Sequence, residues 1–526
     1  MGIPEKKMKK IALSVLLVLA LVLPAACGGG GAQPAATTAA AATTAAATTA
    51  AATTAAAETK AAETTAAATT TAAATTKAAA TTTAAATTKA AEAPAGRVKL
   101  KISSGRPQDE DPQSAWDEFE FRSKMIEAKF PHIEFEWDRW APGEDYRQQY
   151  DMQLMAGNAP NVGAHFPYVD IRTRLANGTI GELTDYVVNW GMKKDGKVTT
   201  IFDEAICTRD GRWFAVPESP YLSGLVINTA VMQEGGGDPS NLPKTWSEFA
   251  QLTSELTDKT VPRFGYLLLG SDWCAWPFVP WVWASGGEMV RENDDGTWTP
   301  AFAEDAGVDA AMFMHDLIWK YNATQKDILE DYNNFTNHFI AGEAVFGWGS
   351  PPGFSTDQLA KFDQVQENIS FMPIPAKDDG GKQTTFAGGE VFTVNPTNSK
   401  EVNDAAWEYI TYVGYDEEYL VTMWGKQNSL NRLNARGSGR VDLTETKFNM
   451  ATSWPSHWAK LMADGFKMAQ PEPFCPNWND LKNEIVRPLQ TIYLTENITW
   501  DDAKAALVEC AETLVTKYPS SFKIVK

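Results

Sequence analysis

Hydrophobic and polar positions after residue 96 alternate with two different periods. Residues 98–102 and 133–137 alternate with a period of two, which predicts half-buried strands. Between them lies a helical pattern that Ser114 can cap and Pro131 ends, and a second helical pattern stops at Gly157. Strand, helix, strand and helix in this order predict parallel strands joined by crossover helices.

The same pattern continues towards the carboxyl end. Residues 225–227 and 264–269 read as buried strands, and two pairs spaced like capping boxes predict helix starts, namely Thr245 with Glu248 and Thr499 with Asp502. Pro488 lies inside the helical pattern of residues 481–493 and predicts a kink or a break there. The body is therefore expected to be an α/β protein long enough to divide into two lobes.

The amino end reads as a targeting segment. Basic residues precede the apolar run 11–23, and Pro-Ala-Ala-Cys follows at 24–27. A basic start, a short apolar run and small residues are typical of a secretory signal, and the run is short for a membrane span. Cys27 after two alanines resembles a bacterial lipoprotein signal over residues 1–26. This resemblance implies lipidation of Cys27 and anchoring on the extracellular face of the cell membrane, and an ordinary secretory peptide is the alternative.

Composition separates a tether from the body and excludes one class of function. Residues 27–96 are Gly and then almost only Ala and Thr, which cannot build a core and predict a disordered tether. The whole chain has a net charge of −20, and no basic run occurs in the body. Nucleic-acid binding is therefore excluded, because it needs clustered Lys and Arg.

Tryptophan is abundant, and all 19 Trp residues follow residue 97. Several are expected in loops at strand ends, where ligands bind in open α/β sheets: Trp140, Trp273, Trp276, Trp281, Trp283, Trp348 and Trp424. An indole covers the apolar face of a sugar ring, and carboxylates or amides bind its hydroxyls. This composition is typical of a carbohydrate cleft, although core packing is an equally good reading of any single Trp.

Short segments in a fixed order resemble the extracellular solute-binding proteins of bacterial ABC importers, of the maltose-binding type. The clearest are MAGNAPN at 155–161, GTIGELT at 178–184, LPKTWSEF at 242–249 and FIAGEA at 339–344. The resemblance implies a two-lobed periplasmic-binding-protein-like fold with a hinge and an interlobe ligand cleft. It also implies a binding protein without a cofactor, a sugar ligand, and a permease with its ATPase as partners of a monomer.

The resemblance further implies lobe boundaries and site residues. Lobe 1 would comprise residues 97–217 and 376–423, and lobe 2 residues 218–375 and 424–526. Residues 271–277 resemble an aromatic sugar-binding loop, with Asp272 as hydroxyl acceptor and Trp273 and Trp276 as stacking faces, and Trp348 resembles a second platform. Further cleft candidates by position are Arg106, His165, Phe166, Glu218, Tyr221 and Glu390.

Two other functions fit the residues. Carboxylates beside Trp describe a glycoside hydrolase as well, and a stalked adhesin that holds polysaccharide fits the tether. The five His residues show no spacing typical of metal ligands, so no metal is expected. Four cysteines besides Cys27 allow three pairings, and their state stays open: Cys207, Cys274, Cys475 and Cys510.

Overall fold

The computed structural model describes the chain from Gly96 onward, at residues 96–103, 105–139, 145–199, 204–325, 327–354, 356–434 and 436–525. Cys27, the signal segment, most of the Ala/Thr-rich segment and Trp140 lie outside these ranges. Within the described ranges, no helix combines the length and the apolar character needed to cross a bilayer.

The strands include two that are much longer than the others, β6 and β12. In chain order the strands are β1 (Val98–Ile102), β2 (Ile133–Trp137), β3 (Val162–Pro167), β4 (Thr208–Arg209), β5 (Arg212–Trp213), β6 (Ala215–Asn228), β7 (Phe264–Tyr266), β8 (Arg291–Glu292), β9 (Trp298–Thr299), β10 (Ala344–Gly349), β11 (Ile369–Met372), β12 (Thr385–Val394) and β13 (Ala469–Pro471).

Helices separate most of these strands and continue to the carboxyl end. They are α1 (Gln113–Lys129), α2 (Asp145–Met155), α3 (Ile171–Ala176), α4 (Thr184–Val187), α5 (Gly191–Lys194), α6 (Glu204–Cys207), α7 (Thr229–Glu234), α8 (Trp246–Leu256), α9 (Ala275–Ala284), α10 (Asp305–Trp319), α11 (Tyr332–Ile340), α12 (Thr356–Ala360), α13 (Lys400–Tyr415), α14 (Glu417–Ser429), α15 (Thr444–Asn449), α16 (Ser456–Lys467), α17 (Trp478–Leu494) and α18 (Trp500–Lys517).

In the described part of the chain, one mixed sheet connects nine strands in the order β2-β1-β3-β12-β6-β10-β7, with β11 on β6 and β13 on β12. The predicted parallel pairing at the amino end is confirmed, because β1 runs parallel to both β2 and β3. We call the part around β1 to β3 the first lobe and the part around β7, β10 and β11 the second lobe.

The long strands β6 and β12 link the two lobes. The first part of β6 pairs with β12, whereas its last residues pair with β10 and β11 of the second lobe. Strand β12 in turn pairs with β3 of the first lobe. The two lobes are therefore joined by the antiparallel strands β6 and β12. Side chains on these two strands lie close to the strands of both lobes.

Two of the local predictions hold and others need correction. Both capping boxes are present, at Thr245 before α8 and at Thr499 before α18. Helix α1 begins at Gln113, so Ser114 lies inside it and does not cap it. Strand β7 covers only three of the residues predicted at 264–269. Of the kink or break predicted at Pro488, the break is absent, since α17 passes through that residue. Its buried apolar face compensates the lost backbone bond.

None of the four described cysteines forms a disulfide, and all four are buried: Cys207, Cys274, Cys475 and Cys510. The three pairings left open by the sequence are thus absent from the structure. Burial raises the pKa of the Cys274 thiol to about 12, with the nearby Asp272 carboxylate adding to the shift. These thiols serve as small apolar side chains in the core.

Candidate functional site

Two cavities adjoin where the linking strands pass between the lobes. The first, of about 350 Å³, lies between β3, β6 and β12 on one side and α1, α13 and α14 on the other. The second, of about 520 Å³, lies between β6, α9, α11 and the end of β10. Asn434 and Arg436 line both cavities. These two side chains therefore form the boundary between one compartment and the next.

Irregular strand pairing brings two polar side chains into the first cavity. The register of β6 against β12 shifts at Glu218, and the register of β3 against β12 shifts beside His165. A bulge takes a residue out of the regular alternation, which re-aims its side chain. His165 also has a φ of 56°, in the left-handed region that non-glycine residues rarely adopt. The sheet is thus distorted at His165 and Glu218, whose side chains meet at the cavity wall.

The carboxylate of Glu218 contacts both the backbone N–H and the imidazole ring of His165. The backbone N–H of His165 donates to Oε2 of Glu218 at 2.6 Å, and Nδ1 lies 2.7 Å from Oε1. Oε2 of Glu390 lies 3.9 Å from the same Nδ1. Burial alone would lower the pKa of His165, but the two carboxylates outweigh it and raise that pKa above its ordinary value. The pair therefore favours an imidazolium at mildly acidic pH.

Arg436 is fixed on both linking strands. Its Nη1 lies 2.5 Å from Oε2 of Glu390, which also accepts from Oγ of Ser219 at 2.8 Å. The guanidinium lies 5.4 Å from the ring centroid of Tyr221 on β6. Gly388 makes this arrangement possible, because a Cβ there would lie 2.1 Å from Oη of Tyr221. The boundary between the cavities is consequently a positioned cation that stacks on an aromatic ring.

Aromatic rings dominate one wall of the second cavity. Tyr221, Trp276 and Tyr332 line it, and the rings of Tyr221 and Trp276 meet edge to face at 6.4 Å. Tyr332 stacks on Trp273 with centroids 5.4 Å apart, and Trp273 is 54 % exposed. The cavity thus continues towards solvent through an aromatic stack whose outer member has a free face.

Helix α11 supplies amide groups to the same cavity. Asn333 and Asn337 line it one turn apart. His338 fixes this helix from outside, with Nε2 lying 2.8 Å from Glu330 and Nδ1 lying 2.5 Å from Glu343. Ring faces and amides together suit a ligand that has apolar C–H faces and many hydroxyls.

The structure brings together six of the residues predicted for the site. His165, Glu218, Glu390 and Trp424 line the first cavity, and Tyr221 and Trp276 line the second. Trp273 stands next to the second cavity through its contact with Tyr332. Arg106 and Asp272 are exposed and line neither cavity, and Trp140 lies outside the described residues.

Four predicted site residues belong to the core instead. Trp281 is fully buried against Phe249, and Trp348 is 1 % exposed. Trp283 stacks on Phe386 with centroids 5.8 Å apart, and Phe166 is buried because the residue after His165 faces the opposite side of β3. The structure therefore gives Phe166, Trp281, Trp283 and Trp348 core positions that line neither cavity.

Several lining residues carried no signal in the sequence. Arg122, Arg436 and Lys447 face the first cavity, and Asn434 faces both. Arg122 lies on α1, where it reads as an ordinary surface residue, and Lys447 lies on the short helix α15. Only Gly105 hints at Arg122, since a Cβ there would lie 1.8 Å from its Nη2. A single glycine does not reveal which distant side chain approaches it.

Comparison with known proteins decides the family. The sequence model described as "Bacterial extracellular solute-binding protein" matches residues 108–418, which is more than half of the chain. The chain belongs to this family. The family consists of binding proteins, so the chain is a solute-binding protein and not an enzyme, and the hydrolase alternative is set aside.

Curated relatives of this solute-binding protein are distant. The sn-glycerol-3-phosphate-binding periplasmic protein UgpB of Salmonella typhimurium is 21% identical over 300 residues, which cover 52% of this chain and 63% of that protein. The chain thus spans somewhat less than two thirds of the length of the curated relatives it matches. UgpB of Salmonella typhi matches equally well.

Solved structures share the two-lobed α/β fold. The cyclic α-maltosyl-1,6-maltose binding protein of Arthrobacter globiformis has a TM-score of 0.64 at 18% identity, covering 80% of this chain and 100% of that one. The GacH receptor of Streptomyces glaucescens has a TM-score of 0.61 at 18% identity, with coverages of 80% and 99%. UgpB of Mycobacterium tuberculosis, in complex with glycerophosphocholine, has a TM-score of 0.59 at 17% identity, with coverages of 81% and 99%.

Proposed function

We propose that this solute-binding protein takes up a sugar or an oligosaccharide in the cleft between its lobes and delivers it to the permease subunits of an ABC importer. Membership of the extracellular solute-binding family supports a receptor role. Relatives of the same fold include proteins named for maltose and for cyclic maltosyl-maltose, which supports a carbohydrate ligand. The importer's ATPase drives transport, and this chain performs only recognition.

The second cavity is the observation that carries the carbohydrate assignment. Its rings can cover sugar faces, and its amides can bond hydroxyls as donors and acceptors. A volume of about 520 Å³ lies in the range of pockets for small ligands. The exposed face of Trp273 extends this surface outward, which suits a ligand longer than one ring.

The proposal includes a location. Lipidation of Cys27 would hold the mature chain on the extracellular face of the cell membrane, with residues 27–96 as a tether for a monomeric body. We retain the lobe ranges 97–217 with 376–423, and 218–375 with 424–526. The body would then stay close to the permease while the tether allows it to collect ligand.

A glycan panel tests the carbohydrate assignment. Soluble neutral and acidic oligosaccharides, sugar phosphates and glycerophosphodiesters are screened by thermal shift, and hits are measured by calorimetric titration. At least one soluble glycan or sugar derivative should bind with a Kd in the micromolar range or below. Binding only to insoluble polysaccharide would favour the adhesin, and a panel without any hit would refute the proposal.

A matched pair of variants on α11 tests the position of the ligand. Asn337 lines the second cavity, whereas Asn334 lies on the same helix outside it. Asn337→Leu removes the amide donor and acceptor, and we expect the affinity for the hit to fall about tenfold or more. Asn334→Leu should leave it unchanged. Equal effects of both variants would place the ligand elsewhere.

A further inference from the structure

Three carboxylates line the first cavity, and each of them has a basic partner within the protein. Glu218 pairs with His165, Glu390 pairs with Arg436, and Glu118 accepts from Nε of Arg432 at 2.7 Å. Each carboxylate of this wall thus has a basic partner of its own, and the partner of Glu218 is a cation when His165 is protonated.

Two further cations of the same cavity lack such a partner. Among the described residues, neither Arg122 nor Lys447 forms a salt bridge with a carboxylate. Nη2 of Arg122 donates to the backbone oxygen of Gly105 at 2.8 Å, and its Nε has no hydrogen-bond partner in the described part of the chain. Nζ of Lys447 donates to Oδ1 of Asn434 and to the backbone oxygen of Arg436, both at 2.7 Å.

The lack of a carboxylate partner for these two side chains is unexpected in so acidic a protein. The chain has 66 Asp and Glu residues against 46 Lys and Arg residues, so carboxylates are plentiful. Lys447 is nevertheless 4 % exposed and makes only neutral contacts, with Nζ 5.8 Å from the ring centroid of Trp424. Burying a cation without a counter-charge is costly, and an anionic group of a ligand would supply that counter-charge.

We propose that the first cavity binds an oxyanion carried by the ligand, a carboxylate or a phosphate ester, with Arg122 and Lys447 as its counter-charges. The inference rests on the proposed function and narrows it to an acidic sugar, a sugar phosphate or a phosphodiester of a polyol. The hydroxylated part of the ligand would occupy the second cavity, and Arg436 lies at the junction of the two. Carboxylate and phosphate share the acceptor chemistry that a guanidinium and an ammonium bind.

Titration of Lys447 gives the proposal a signature that a neutral ligand lacks. Burial, together with the charge of Arg436, lowers the pKa of Lys447 to about 7, while Glu390 opposes the shift. An oxyanion in the cavity would favour the ammonium form and raise that pKa, so binding takes up a proton above pH 7. Affinity for the anion is then complete below pH 7 and decreases as the pH rises.

The test compares matched ligands on the full mature chain. Each acidic hit of the glycan panel is titrated beside its neutral counterpart, for example an oligouronate beside the unoxidised oligosaccharide, and a sugar phosphate beside the free sugar. We expect the acidic member to bind at least tenfold more tightly, and the two arms distinguish carboxylate from phosphate. Tight binding of neutral sugars without any gain from an acidic group would overturn this inference and leave the proposed function standing. A panel without hits contradicts both.

Variants assign the effect to the two cations. Lys447→Met and Arg122→Gln should each weaken the acidic ligand tenfold to a hundredfold and leave its neutral counterpart within threefold. Lys447→Arg should retain most of the affinity, and Lys460→Met, on the surface of α16, is the matched control. Thermal melts show whether each variant folds. If Lys447→Met does not fold, the comparison of Lys447→Arg with Arg122→Gln still tests the proposal.

Proton uptake completes the experiment on the unchanged protein. Titrations near pH 7.5 in two buffers of different ionisation enthalpy should show uptake of a substantial fraction of a proton with the acidic ligand and none with the neutral one. Lys447→Arg should remove the uptake, because a guanidinium does not titrate in this range. Uptake that persists in Lys447→Arg would assign it to another group and overturn the role of Lys447.

Discussion

Trp348→Ala is expected to lower folding stability rather than remove a ligand contact. The indole is 1 % exposed and packs edge-on against Trp276 at 5.6 Å and Phe386 at 5.8 Å. Truncating a buried Trp to Ala costs about 3–5 kcal/mol, because the lost contacts leave a cavity. The free energy of unfolding, measured by urea titration with circular dichroism, should decrease by that amount.

The matched variant Trp348→Phe separates packing from ligand binding. Nε1 of Trp348 is buried and has no hydrogen-bond partner among the described residues. An unsatisfied buried N–H costs about 1–3 kcal/mol, so its removal offsets part of the volume lost with the smaller ring. We expect Trp348→Phe to lose less than half of what the Ala variant loses, with ligand affinity within threefold of the wild type. A stable Phe variant whose affinity falls tenfold would refute the reasoning and make Trp348 a ligand contact.

Three other predictions concern the aromatic stack, the bulge and the anchor. Trp273→Ala should weaken an oligosaccharide ligand up to about tenfold, the equivalent of one stacking contact, without moving the thermal midpoint, as calorimetry and melts would show. Glu218→Gln should lower the pKa of His165, followed by NMR. Because folding raises the pKa of His165 in the wild type, the protonated ring contributes stability that is fully present below about pH 6.5. The stability difference between the two proteins should therefore be largest near pH 6 and decrease as the pH rises through the pKa of the folded wild type. Cys27→Ser should move the protein from the membrane fraction into the medium, and retention in the membrane would contradict lipidation.

The sequence predicts those parts of the fold that depend on neighbouring residues. Strands β1 and β2 follow from strict alternation, and the caps at Thr245 and Thr499 follow from residues three apart. Tertiary packing decides the exceptions. Helix α17 continues past Pro488 because one of its faces is buried against its neighbours, an effect that no local pattern encodes.

The candidate site was predictable only in part. His165, Glu218 and Glu390 were expected near the cleft by their position in the chain, and the structure places them within β3, β6 and β12 and beside the first cavity. The expectation that ligands gather at strand ends also placed Trp281 and Trp348 in the site, because a core indole and a ligand platform have the same composition and similar flanks. Exposure separates them, and exposure is set by helices and strands distant in sequence.

The placement of the charged groups connects recognition to the hinge. Glu218 and Glu390 lie on β6 and β12, which are the strands that join the lobes, and the bulge at Glu218 is where their pairing is least regular. A hinge concentrates its backbone changes at a few such positions. A ligand that changes the partners of Glu390 or Arg436 therefore acts on the linking strands directly. A ligand shifts the balance between an open and a closed form only through contacts that differ between the two forms. Contacts with Glu390 or Arg436 can differ in this way without any rearrangement of the hydrophobic core of either lobe.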